Sequence, residues 1–212
     1  MLKVGAAFVI LLTLPACVDD GKHVSWPGVN VPSMKVGSIV VEWNVPSKTT
    51  WVCSGVDNPA NLSTAKTVGT SGSTKSAEAS LTAKVAGWLT AKGSYKTIDT
   101  FKIHLADGWL EAAPLESLHT NYRELNANCQ GKIGDQHTAG ARYFRVATKI
   151  YRGTLVIDMS FKREATAEAK VDEAQKFAVE VGGSIAEGSD SKVTVEGGVW
   201  ILESEPLANP PA

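Results

Sequence analysis

The sequence predicts an α+β fold, a mostly antiparallel sheet carrying two amphipathic helices. Three observations predict it: long runs in which apolar and polar residues alternate, glycine-bearing pairs where that alternation changes parity, and two apolar stripes at helical spacing. The 212 residues are enough for one domain with appendages.

Val36 to Val45 and Thr50 to Gly55 read as a strand pair around Pro46-Ser47-Lys48. From Ser76 to Leu105 the odd positions include Ala77, Ala79, Leu81, Ala83, Val85, Leu89, Phe101, Ile103 and Leu105. The even ones are mostly Ser, Glu, Thr, Lys and His. Period two predicts strand, and its length predicts a bend near Ala91 to Ser94 or Thr97 to Asp99.

Pro114, followed by Leu115, Leu118, Tyr122 and Leu125, predicts a first helix. Phe144, Val146 and Ile150 are even, whereas Leu155, Ile157, Met159 and Phe161 are odd. A two-residue turn at Arg152-Gly153 accounts for the flip and predicts a hairpin. The same logic makes Lys192 to Glu203 a hairpin with Gly197-Gly198 as its turn. Between them, Thr166 to Val181 carries Ala167, Val171, Ala174, Ala178 and Val181 and stops at Gly182-Gly183, a second helix.

The chain begins with Lys3, an apolar run from Val4 to Leu14, and then Leu14-Pro15-Ala16-Cys17. The run has the length of a signal-peptide core, and its ending resembles the lipobox of bacterial lipoproteins. The resemblance implies cleavage before Cys17, acylation of that cysteine, and a chain held on a bacterial membrane by its lipid. With Val18 rather than an aspartate next, the family's sorting habit implies the outer membrane. In such an oxidising compartment Cys53 and Cys129 remain as an even pair, for which one disulfide is the simplest reading and two separately buried thiols the alternative. The expected organisation is a signal peptide (1–16), a lipidated terminus and tether (17–34), one α+β domain (35–204) and a proline-rich tail (205–212).

Twenty-one Lys+Arg balance 22 Asp+Glu, which excludes a general nucleic-acid binder. No apolar run approaches the roughly 18 residues of a membrane-spanning helix. His23, His104, His119 and His137 show no metal-ligand spacing, and no cofactor motif is present. Ser63-Thr64-Ala65-Lys66 matches an S-x-x-K motif but lacks its partner motifs. Asp135 and His137, in the polar stretch 126–140, could pair as acid and base; a surface loop pinned by a disulfide explains the same letters. Trp26 falls on the expected tether. Trp88, on the polar face of the alternating stretch, and Trp109 are candidate contact residues, with Asp135 and His137 beside them.

From Asp135 to Val181 the order is a polar Gly-Asp loop, strand Arg142 to Tyr151, glycine turn, strand Thr154 to Phe161 and a charged amphipathic helix. This resembles part of the central domain of perforin-like proteins and cholesterol-dependent cytolysins. In that family sheet strands meet helices that refold into membrane hairpins, and the alternating Ser76 to Leu105 stretch adds to the likeness. The family's signature residues are absent and no site residue is carried over. The sequence therefore leads first to a lipid-anchored, non-catalytic envelope protein that binds or assembles with an envelope protein or glycan. A membrane-active relative of the perforin-like proteins is the alternative, and a small hydrolase centred on Asp135 and His137 a second.

Overall fold

A computed structural model describes residues 26–43, 49–67, 71–185 and 191–211. The expected signal peptide, Cys17 and the Pro46-Ser47-Lys48 turn lie outside these residues. The architecture is α+β, with an antiparallel sheet and three helices among the described residues. In chain order the elements are β1 (Gly28–Val29), β2 (Ser38–Glu42), β3 (Thr49–Ser54), β4 (Ser63–Lys66), α1 (Gly72–Lys92) and β5 (Ile98–Ala112). Then follow α2 (Ala127–Thr138), β6 (Tyr143–Phe161), α3 (Ala167–Val181), β7 (Ser184–Ile185) and β8 (Lys192–Pro206).

Four strands make the spine, in the order β4-β5-β6-β8, each antiparallel to its neighbour. α1 is inserted between β4 and β5, and α3 between β6 and β8. β2 pairs with the start of β6 and carries β3, while β1 and β7 line the outer edge of β8.

The expected strand over Ser76 to Leu105 is two elements: α1, then β5. Ser71 caps α1, its hydroxyl accepting from the Thr74 N–H at 3.3 Å, and Gly93 ends it in the left-handed region at φ 63°. Between the caps, alanine, leucine and lysine are strong helix formers, and Ala77, Leu81, Val85 and Trp88 bury one face. Propensity, caps and a fitting stripe together outweigh the period-two pattern. That pattern nevertheless persists in the letters, leaving Ala79 and Ala83 on the exposed side.

The helix expected after Pro114 is replaced by two single 3-10 turns, Leu115–Ser117 and Tyr122–Glu124. The Asn121 side chain accepts from the Arg123 N–H at 3.1 Å and starts the second turn afresh, while Leu118 and Leu125 still reach the core. Conversely, the expected loop 126–140 is helix α2. Asn126 caps the Cys129 N–H at 2.9 Å, and Cys129 and Ile133 are its buried residues; Gly131 and Gly134 mask the pattern in the sequence.

Neither expected hairpin turn exists. β6 runs straight through Arg152-Gly153, and β8 through Gly197-Gly198. In β6 the parity flip has another cause. Tyr151, Leu155, Ile157 and Met159 lie in a core shared with α1 and α3, whereas Phe144, Val146 and Ile150 lie in a second core with β2, β3 and α2. The strand buries one face in its C-terminal half and the other in its N-terminal half. A change of buried face and a two-residue turn write the same letters. In β8 a bulge near Gly197 does the same, keeping Val193, Val195, Trp200 and Leu202 in the first core.

Gly108, Gly153 and Gly198 sit opposite one another across β5, β6 and β8. A Cβ at Gly153 would lie 2.1 Å from the Asp107 carbonyl oxygen and 2.7 Å from the Gly108 Cα. Both are backbone atoms, so Gly153→Val must push the two strands apart. The expected cost is about 3 kcal/mol, measured by urea denaturation.

Cys53 and Cys129 form a disulfide joining β3 to α2, with Cα atoms 5.5 Å apart. The stretch expected to be tether is packed from its Trp26 onward: Trp26 is 3% exposed, and Met34 is fully buried. At the other end β8 runs to Pro206 and Leu207 is buried, so the first residues of the expected tail belong to the body.

Candidate functional site

Two helices lie over the sheet at one end of the molecule, and their attachment defines the candidate site. Their apolar contribution is Ala77, Leu81, Val85 and Trp88 from α1 and Ala174, Phe177, Ala178 and Val181 from α3, against Ile103, Leu155, Ile157 and Val193 of the sheet. At the centre is an aromatic cluster. Trp88 lies 6.1 Å from Phe177 and 5.2 Å from Trp26, and Tyr95 lies edge-on to Phe177 at 5.6 Å.

Polar side chains lock the helices to each other and to the sheet. Lys92 at the end of α1 pairs with Glu180 of α3, and the Tyr95 hydroxyl donates to the same carboxylate. Burial first, then that hydrogen bond, holds the Tyr95 phenol far above its usual range. Glu173, nearly buried on α3, accepts from the Thr97 backbone N–H at 2.9 Å and from its hydroxyl. On α1, Glu78 accepts from the Leu105 N–H at 3.1 Å and Ser80 donates to the Leu202 carbonyl at 3.2 Å. Lys84 is brought beside Glu42, Glu203 and Arg145, and its burial pulls its pKa down against the pull of the two carboxylates. These latch residues were not legible as a site in the sequence; the signal available was Glu173, a charge in the odd-numbered apolar row of α3.

Beneath the helices Tyr151 is fully buried, stacked on Trp200 at 5.6 Å, and donates to the Thr154 carbonyl at 2.8 Å. Burial pushes its pKa up to about 12, against the opposing effect of its hydrogen bonds to Thr67 and Thr154. The indole N–H groups of Trp51, Trp88 and Trp200 are buried without a hydrogen-bond partner among the described residues. Each such donor costs about 1–3 kcal/mol, so the packed arrangement carries a penalty beneath α1 and at β8.

The residues singled out in the sequence do not converge. Trp88, expected on a contact surface, is 1% exposed at the centre of the aromatic cluster, because its stretch is helical and it falls on the packed face. Trp109 is half-exposed on β5, opposite Lys66 and Arg152. Asp135 is exposed and His137 half-buried on α2. Two residues apart on a helix they point about 200° from one another, which dismantles the acid/base pair. Ser63 and Lys66, three apart on strand β4, point to opposite faces. Among the described residues no group of three His, Cys, Asp or Glu is placed to hold a metal.

Clefts among the described residues flank the helices, two of them beside the aromatic cluster. One, of about 700 Å³, runs along α3 past Tyr95, Glu173, Lys176, Val179 and Glu180. The other, of about 380 Å³, lies between the N-terminal segment, β3, the end of α3 and β8, walled by Trp26, Trp51 and Trp200. No described helix is long and apolar enough to cross a membrane.

No family model matches the chain, and no curated protein matches it. Among solved structures, a bacterial gasdermin from Bradyrhizobium tropiciagri aligns over 89% of this chain and 87% of its own, at 11% identity and a TM-score of 0.31. A similarity at that level carries no functional conclusion of its own.

Proposed function

We propose that the protein acts on membranes, its two helices α1 and α3 unfolding from the sheet to extend β5 and β6 as membrane-crossing strands. One observation carries this reading: each helix continues the apolar parity of the strand beside it. The odd positions that β5 buries, Ile103 and Leu105, continue backwards through Phe101 and, past the polar Asp99 and Thr97 at the junction, through Tyr95 into Leu89, Val85, Ala83, Leu81, Ala79 and Ala77. The odd positions of β6, Leu155, Ile157 and Met159, continue forwards through Phe161 and, past Arg163 where strand gives way to helix, into Ala165, Ala167, Ala169 and Val171.

A transmembrane strand needs only about 9–11 residues with alternate positions apolar. Thirty-one residues, 67 through 97, separate β4 from β5, and thirty, 162 through 191, separate β6 from β8. Both insertions have the length for two crossings. As helices the same letters are used imperfectly: Val171 is 37% exposed and Val179 80%. Helix α1 lies between the paired strands β4 and β5, and α3 between the paired strands β6 and β8, with α2 between the two sets; this arrangement also fits the perforin-like resemblance carried by residues 135–181.

Release of a trapped dye from phosphatidylethanolamine/phosphatidylglycerol vesicles tests the proposal. The chain from residue 18 onward is expected to empty vesicles at micromolar concentration; intact vesicles would overturn the reading. Acylation at Cys17 is the second part of the proposal. It would deliver the body to a bacterial, outer-membrane surface and is compatible with binding an envelope protein or glycan there. Palmitate labelling that disappears in Cys17→Ser is the expected result, and labelling that persists rejects the site.

A further inference from the structure

The segment that leads into the body from the expected anchor does more than connect. We propose that residues 26–34 are an autoinhibitory strap, rooted in the second core by Val29 and Met34, whose Trp26 pins α1 and α3 to the sheet, so that withdrawing Trp26 licenses the helices to leave. The strap's contact with both helices stands by itself; its consequence for membranes rests on the function proposed above.

Trp26 is 3% exposed and, like Tyr95 in the loop between α1 and β5, stands in the aromatic cluster of the first core without belonging to a helix or to the sheet spine. Its ring lies 5.2 Å from Trp88 of α1 and 6.3 Å from Phe177 of α3, the latter edge-on at 87°. Neither helix can lift away without stripping a partner from this indole. The strap is itself tied down at several points. The Trp26 carbonyl accepts from the Thr49 N–H at 3.3 Å, and the Pro27 carbonyl from the Ile201 N–H at 3.0 Å. Gly28 and Val29 pair with Trp200 and Val199, and the Arg152 guanidinium donates to the carbonyls of Pro32 and Met34.

Two features suit this segment to release. Its ladder with β8 is only two residues long, too short to persist once its flanking contacts go. Arg152 grips it beside Gly153, in the glycine row, so a change in the sheet there is transmitted to the strap. The fit is close: a Cβ at Gly28 would lie 2.5 Å from the Trp26 Nε1 and 3.2 Å from that of Trp200. Eight residues separate Cys17 from Trp26, and the nine chain steps between the two span at most about 30 Å. A body seated against the membrane at the wrong distance or angle would therefore pull on the strap.

The test uses the full chain in two variants, Trp26→Ala and Arg152→Gln, the second freeing the strap while leaving the aromatic cluster whole. Amide hydrogen exchange in solution, without vesicles, reads α1 and α3 against α2 as internal reference. Both variants are expected to lose protection at least tenfold across 72–92 and 167–181 with 127–138 unchanged, and Trp26→Phe to recover most of it. Unchanged protection in α1 and α3, or an equal loss in all three helices, overturns the strap. Vesicle leakage is measured on the same samples, and at least fivefold faster release by the variants is expected. Selective loss of protection with no leakage from any variant supports the strap and rejects the membrane activity.

Discussion

Ala83→Lys and Val171→Lys are expected to abolish vesicle leakage, at least tenfold below the parent chain, while leaving the soluble fold intact; Thr90→Lys is expected to leak like the parent. Ala83 and Thr90 are both exposed on α1, and Val171 is more than a third exposed on α3. Lysine is nearly as good a helix former as alanine, so the Ala83 change in the folded protein is worth no more than about 0.5 kcal/mol. In an extended strand the three positions part company. Ala83 and Val171 share the odd, apolar row that would face lipid, where a lysine near the midplane costs about 2–4 kcal/mol. Thr90 belongs to the even, polar row that would face water. A general surface-binding mechanism has no reason to separate Ala83 from Thr90, seven residues apart on one helix. Equal leakage from these two variants would sink the strand reading, and circular dichroism confirms that each remains folded.

Removing the disulfide is expected to have the largest effect on stability. The Cys53–Cys129 bridge closes a loop with a sequence separation of 76 residues. In the chain-entropy description such a closure stabilises by about 4 kcal/mol. The double variant Cys53→Ala/Cys129→Ala should lose that amount in urea denaturation, a large share of the roughly 5–15 kcal/mol typical of folded domains. The bridge lies in the second core, with β2, β3 and α2, a cluster to which α1 and α3 contribute no buried residue among those described. Leakage per folded molecule should therefore be retained, which separates this variant from the lysine substitutions.

The class of the fold, the disulfide, α3 and the β2–β3 pair were legible in the sequence because each rests on a local signal: cysteine count, helical stripe and cap, strand propensity around a proline. Three features were not. α1 was hidden because Ala77 to Gly93 satisfies both periods, and only the Ser71 and Gly93 caps favour the helix. The straight passage of β6 through Arg152-Gly153 was hidden because parity records which face is buried, and a strand that changes its buried face imitates a turn. The latch of Lys92, Tyr95, Glu173 and Glu180 was hidden because it is made by residues up to 88 positions apart. Trp26 was misplaced for a related reason: prolines and glycines mark a segment without regular structure, yet such a segment can still be held by its carbonyls and one large ring.

Two hydrophobic clusters divide this small body, and that division has a mechanical consequence. The cluster beneath α1 and α3 can be dismantled while its counterpart around Ile39, Val41, Phe144 and Ile133 stays closed, riveted by Cys53–Cys129. The molecule then behaves as a tool with a fixed handle and a folding blade. Calorimetry should register two separate heat-absorption events in it, and a reducing agent should shift only the one that belongs to the handle.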